Sequence, residues 1–229
     1  MQVQFCEFPD ELYYDIQNDV WLRPLSDNVA VIGVTSVLSN LAGRLKEIHF
    51  KQDISEVRPG QLIATAESPR FFGPIRSPLA GTIIELNFEV EQNPRLVNDF
   101  PYSKGWIAKI KLDTDQVISN FPQGTEAAKR LNERISELKI RCFKKLPDEE
   151  LIAVGSECAA TLVNLGDLLK EKPIGTVVHV LSDDPFADIE MARWAELTKN
   201  ELVETRDEGN LRHLIVEKKG NQDVTSRHK

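Results

Sequence analysis

Long apolar runs are missing from this sequence of 229 residues. None approaches the roughly 20 residues that a bilayer-spanning helix needs, and Met1-Gln2-Val3-Gln4 opens neither a charged leader nor an apolar signal core. A cytoplasmic protein with no membrane partner is therefore expected. Basic charge is also short: 28 Lys and Arg stand against 36 Asp and Glu, a formal net charge of -8. That field repels polyanions, so nonspecific attraction to nucleic acid is not expected. Cysteine is scarce, with Cys6, Cys142 and Cys158 far apart and no CxxC pair, and four histidines are scattered at His49, His179, His213 and His228. An odd, widely spaced set is a poor disulfide framework and a poor zinc site. No metal is expected, and a cysteine that matters should act singly, as a thiol.

What is present is an ordinary globular composition, 41% apolar and 28% charged, long enough for two small domains that each bury a core. In the first half, apolar runs at Trp21-Leu22, Ala30-Val31-Ile32, Leu45 to Phe50, Leu62-Ile63-Ala64, Thr82-Ile83-Ile84 and Trp106 to Leu112 are separated by turn signals such as Arg58-Pro59-Gly60 and Ala80-Gly81. Closely spaced short strands of this kind predict a sandwich or barrel. Thr35 to Ala42 suits one short helix, with Thr35 or Ser36 as its cap and Gly43 ending it. Gly124 to Lys139 predicts a longer helix whose apolar face continues through Leu131, Ile135, Leu138 and Cys142, which makes Cys142 a small core residue.

Lys144-Lys145-Leu146-Pro147-Asp148-Glu149-Glu150 interrupts the pattern and is the best boundary. Beyond it the period changes: a strand at Leu151 to Val154, a helix from Cys158 to Lys172, a strand at Val177 to Leu181, a helix from Phe186 to Lys199, and two strands around Asp207-Glu208-Gly209. The expectation is an α+β chain of two domains: residues 1–143, an all-β flattened barrel or sandwich with a C-terminal helix; a linker at 144–149; a two-layer βαβαββ sandwich at 150–220; and a disordered tail at 221–229.

The first half carries a specific set of fragments in order: Asp10-Glu11-Leu12-Tyr13-Tyr14, Trp21, Val31-Ile32-Gly33-Val34-Thr35, Glu67-Ser68, Ser77-Pro78-Leu79-Ala80-Gly81, Asn98, and Pro101-Tyr102-Ser103-Lys104-Gly105-Trp106. Together they resemble glycine cleavage system H proteins, whose lipoyl-type barrel carries lipoate on a lysine two positions beyond the Glu-Ser pair. Here that place holds Arg70, followed by Phe71 and Phe72, and the nearest lysines, Lys51 and Lys104, lie off the predicted hairpin. A guanidinium is delocalised and permanently charged and cannot take lysine's amide. The resemblance thus implies the fold but no lipoyl cofactor. Arg70, Phe71 and Phe72 are either a drifted, solvated turn packed on the barrel or an arginine and aromatic docking tip of the kind enriched at interfaces.

In the second half, Leu181-Ser182-Asp183-Asp184-Pro185-Phe186-Ala187-Asp188-Ile189 and Leu211-Arg212-His213-Leu214-Ile215-Val216 resemble TusA/SirA-type sulfur carriers. That family's reactive cysteine opens the first helix, and Cys158 stands there at the family's spacing from Asp183. A thiol in the first turn faces the positive end of the helix dipole, which favours thiolate and persulfide. The family's two prolines after the cysteine are replaced by Ala159 and Thr161, and Glu157 precedes it where arginine is common. The Asp183-Asp184 pair, or Asp188, is expected to cap the following helix rather than bind metal.

These resemblances imply a cytoplasmic sulfur-trafficking carrier, at most a sulfurtransferase-type one. Cys158 would relay a transient persulfide between donor and acceptor proteins while the barrel docks a partner related to lipoate or glycine cleavage. The rival is a noncatalytic adaptor with both carrier sites altered. A third reading keeps the chain in glycine cleavage as an H protein.

Overall fold

The computed structural model describes residues 1–25, 28–113 and 117–220; the expected tail at 221–229 lies outside the described residues. The chain divides into two compact units, Met1–Cys142 and the remainder from Phe143.

Unit one runs β1 (Gln2–Val3), β2 (Cys6–Glu7), β3 (Tyr13–Asp15), β4 (Val20–Pro24), β5 (Val29–Val34), α1 (Ser36–Ala42), β6 (Glu47–Phe50), β7 (Glu56–Val57), β8 (Leu62–Ser68) and β9 (Phe71–Arg76). It continues through β10 (Gly81–Leu86), α2 (Glu89–Gln92), α3 (Arg95–Asp99), β11 (Trp106–Leu112) and α4 (Gly124–Leu138). Six strands form one sheet in the order β3-β4-β5-β11-β10-β7, and three form a second, β6-β8-β9. Leu22, Ile32, Ile107 and Ile110 from the larger sheet meet Ile48, Ile63, Ala66 and Ile75 from the smaller in one core. This is the sandwich the strand spacing predicts.

Successive strand residues point to opposite faces. Val20 and Leu22 enter the inter-sheet core, whereas Trp21 between them joins a second cluster on the outer face. There α4 lays down Ala127, Leu131 and Ile135 against Val3, Phe8, Leu12 and Tyr14 from the chain start. Burial of this sheet on both faces explains why Ala30-Val31-Ile32 is continuously apolar rather than alternating. Gly33 is required by close approach: a Cβ there would sit 2.5 Å from the Trp21 ring.

One expectation is overturned in this cluster. Cys6 and Cys142 form a disulfide with Cα atoms 5.0 Å apart across a sequence separation of 136, leaving Cys158 as the free cysteine among the described residues. Cys142 is not on the helix face either. Lys139 adopts a left-handed conformation (φ 53°) that ends α4, and the Ile140 N–H returns to the Ile135 carbonyl. The pairing follows from the β1–β2 hairpin packing on α4, a long-range contact that cysteine spacing does not report.

Unit two is β12 (Glu149–Ala153), α5 (Cys158–Lys170), β13 (Val177–Ser182), α6 (Ala187–Thr198), β14 (Glu201–Glu208) and β15 (Leu211–Glu217). The strands lie in the order β12-β13-β15-β14, with β12 and β13 parallel and the other pairs antiparallel. Leu165 and Leu169 of α5 and Met191 of α6 pack on Val178, Val180, Leu214 and Val216, so both helices cover one sheet face. The chain is a mixed α/β structure, and no helix among the described residues is long and apolar enough to cross a membrane.

Candidate functional site

The β8–β9 hairpin places Arg70 at its tip. Ser68 and Phe71 are the last paired residues, and Pro69 and Arg70 make the turn between them. Gly73 and Pro74 lie inside β9, where a proline is tolerated because β9 is the edge of its sheet. The tip is tied to the end of α1, whose last carbonyls lack helical partners. Ser68 Oγ donates to the Ala42 carbonyl at 2.6 Å, the Arg70 N–H donates to Ser68 Oγ at 3.3 Å, and Arg70 Nη2 donates to the Asn40 carbonyl at 3.2 Å. A cation at a helix C-terminus is also favoured by the peptide dipoles.

Gly43 makes room for this arrangement. Its φ is +70°, and a Cβ would lie 2.7 Å from Arg70 Nε. Asn98 braces the same turn, its Nδ2 donating to the Gly43 carbonyl and to Ser39 Oγ, both at 3.0 Å, while its Oδ1 accepts from the Leu45 N–H at 2.9 Å. The guanidinium is held against the barrel. Of the two phenylalanines, Phe71 packs against the core, whereas Phe72 is 72% exposed. Lys51 follows β6, and Lys104 precedes β11 with its ammonium 5.4 Å from the Phe100 ring centroid. Neither lies on the hairpin.

In unit two, Cys158 is the first residue of α5 and is half-buried, with Glu157 at the N-cap position. The surroundings of the thiol oppose the helix dipole. Burial pushes the thiol pKa up, and the Asp184 and Glu190 carboxylates push it further the same way. Asp183 Oδ1 accepts from the Gly155 N–H at 2.8 Å, tying the loop before α5 to the end of β13. Asp184 Oδ1 accepts from the Phe186 N–H at 2.8 Å, an Asx turn leading into α6. Phe186 itself is the N-cap residue and makes no side-chain cap bond, and Asp188 pairs with Arg212 instead. Neither aspartate of the pair nor Asp188 makes the expected cap bond; Asp184 acts two residues before the N-cap, in the turn. Among the described residues, no group of three or more His, Cys, Asp or Glu is arranged to hold a metal ion.

Sequence reasoning treats the histidines as scattered, yet two of them meet. His179 of β13 and His213 of β15 are buried, their rings stacked with centroids 5.1 Å apart and Nε2 to Nδ1 at 2.9 Å. The available signal is alternation: His179 sits between Val178 and Val180 of the helix-covered core and His213 beside Leu214 of it, so both face the other side of the sheet.

The glycine cleavage H-protein family model matches residues 12–134, which include the hairpin and end within α4. The probable glycine cleavage system H protein 2 of Sulfolobus acidocaldarius is 36% identical over 139 residues, covering 60% of this chain and 93% of that protein. Glycine cleavage system H protein 3 of Aquifex aeolicus is 35% identical over 147 residues, covering 62% and 91%. The probable glycine cleavage system H protein 3 of Sulfurisphaera tokodaii is 42% identical over 113 residues, covering 49% and 82%.

Proposed function

Because the chain belongs to the glycine cleavage H-protein family, we propose that it is a member without lipoate, an adaptor that docks on enzymes handling lipoyl carriers or glycine-cleavage intermediates. The observation that carries this reading is Arg70 at the hairpin tip, bonded back to the Asn40 carbonyl. Lipoyl attachment needs a neutral amine as nucleophile, and a guanidinium does not supply one. The exposed Phe72 beside it offers the apolar contact of a docking tip. Intact mass after exposure to a lipoate-attaching enzyme tests this directly. No adduct is expected, and a lipoyl adduct on the wild-type chain would return it to glycine shuttling.

A second reading makes unit two a TusA-like sulfur carrier. It is favoured by the position of Cys158 as the first helical residue, itself only half-buried. In that step the Cys158 thiolate attacks the outer sulfur of a donor persulfide, forming Cys158–S–SH and releasing the donor thiolate. The upward push on the thiol weighs against it and favours the adaptor. Incubation with a sulfane-sulfur donor separates the two: added sulfur on Cys158, lost in Cys158→Ser, supports the carrier. A cytoplasmic location goes with either reading, and the Cys6–Cys142 disulfide bears on it, since cytosolic disulfides are rare outside hyperthermophiles.

A further inference from the structure

The chain passes from unit one to unit two through a single peptide bond between two secured residues. Cys142, the last residue of unit one, is tied to Cys6 by the disulfide. Phe143, the first of unit two, has its ring centroid 4.8 Å from that of His179 and 4.9 Å from the Arg206 guanidinium. The next two residues are also held within unit two: the Lys144 N–H donates to Glu204 at 2.7 Å, and Lys145 pairs with Glu217 at 2.5 Å. The disulfide is the covalent hold on the unit-one side of this join.

Its other cysteine lies on an element built to lift. β1 and β2 have two residues each and form a two-stranded sheet of their own, and such a hairpin is marginal without further packing. Its turn residues Gln4 and Phe5 both have positive φ, 45° and 68°. Tight hairpins normally give that geometry to Asn-Gly, and a bulky residue such as Phe5 is strained in it. The hairpin is kept on α4 by Gln4 Nε2, which donates to Asn132 Oδ1 at 2.8 Å and Ser136 Oγ at 2.7 Å, and by Val3 and Cys6 clustering with Leu131 and Ile135. Cys6 and Cys142 are only 1% and 4% exposed, so a reductant reaches their bond when the hairpin lifts.

We propose that Cys6–Cys142 is a redox clasp opened by a dithiol of the dihydrolipoyl class, and that its reduction frees the β1–β2 hairpin from α4 and lengthens the chain between the units. The proposal rests on the adaptor reading, whose partners handle lipoyl carriers and whose cytoplasmic setting is reducing. A cytosolic disulfide outside hyperthermophiles is usually transient or redox-sensing. One thiolate of the dithiol attacks a sulfur of the pair, forming a mixed disulfide and releasing the other cysteine; the second thiol then displaces the first cysteine. The dithiol leaves as a cyclic disulfide, and its two electrons and two protons end on Cys6 and Cys142. Because the Ile140 N–H is bonded to the Ile135 carbonyl, the freed run extends back over Arg141 and Cys142, at most about 7 Å of extended chain.

The test uses the native full chain and dihydrolipoamide, without denaturant. Free thiols are expected to rise from Cys158 alone to all three cysteines. The rise should be at least ~10-fold faster than with glutathione at equal thiol concentration, because the second thiol resolves the mixed disulfide internally. Backbone order parameters of the oxidised and reduced forms are expected to fall from about 0.85 to below about 0.6 at residues 2–7 and 141–142, and to stay high in β5, in α4 and at Lys144. Gln4→Ala should speed reduction roughly fivefold, the worth of one net hydrogen bond. No gain of thiols, equal rates with the two reductants, unchanged order at residues 2–7, loss of order throughout unit one, or a Gln4→Ala rate equal to wild type would each overturn the clasp. Wild type read in both redox states carries the main comparison, so no cysteine variant has to fold. The adaptor reading fails separately, on a lipoyl adduct in the intact mass, and a chain that accepted lipoate yet opened with dihydrolipoamide would keep the clasp.

Discussion

Reduction of the Cys6–Cys142 disulfide should destabilise unit one more than any single surface change. The bond closes a loop with a sequence separation of 136, and chain-entropy reasoning assigns such a loop about 5 kcal/mol at 25 °C. Native disulfides in practice give about 2–5 kcal/mol when removed, because the open denatured chain is already compact. For a unit of this size 1 kcal/mol moves the midpoint by roughly 3 °C, so reduction should lower the unit-one transition by about 6–15 °C. Calorimetry with and without a phosphine reductant measures this, and the Cys6→Ala/Cys142→Ala double variant serves as a control that no longer responds to reductant. Thiol counting in denaturant should find Cys158 alone before reduction and all three cysteines after it. Three reactive thiols in the oxidised, denatured protein would refute the pairing. A transition that does not move on reduction would refute the energetic argument.

Gly43→Ala should cost about 1–3 kcal/mol, read as a lower urea midpoint, because it forces a side chain into positive φ and against the Arg70 guanidinium. Arg70→Ala and Phe72→Ala should each change stability by no more than about 1 kcal/mol yet abolish capture of a docking partner; retained capture by both would discard the tip as a contact. Alkylation of Cys158 should show a midpoint above that of a simple thiol, with little thiolate at pH 7, and Asp184→Asn should lower that midpoint. A midpoint below a simple thiol's would restore the helix-dipole account.

The strands with buried apolar residues are legible in the sequence because their pattern comes from local chemistry. Trp21-Leu22, Ala30 to Ile32 and Trp106 to Leu112 fall within β4, β5 and β11, and the βαβαββ order of unit two follows from the change in apolar period. β9 is not legible, because Gly73 and Pro74 read as turn residues until the strand is known to lie at an edge. Arg70 is placed on a hairpin by the family resemblance, but its bond to Asn40 depends on how α1 ends beside the tip. The Cys158 dipole argument is equally visible, whereas the opposing burial and the Asp184 and Glu190 carboxylates come from packing. Cys6 with Cys142, and His179 with His213, are meetings of distant segments; alternation gives the face of each histidine, but residue spacing marks neither pairing.

The bond between Arg70 and Asn40 also bears on how the tip would meet a partner. An arm that visits several sites must stay loose, whereas a contact that selects one surface gains from stiffness. Immobilising a flexible side chain at an interface costs about 0.5–1.5 kcal/mol, and here much of that ordering precedes the encounter. At 1.4 kcal/mol per decade of affinity, the held guanidinium is worth at most about 2- to 12-fold in binding over a free one, without a new contact. On the adaptor reading proposed above, the hairpin would be preorganised for recognition and would lack the reach that delivery requires.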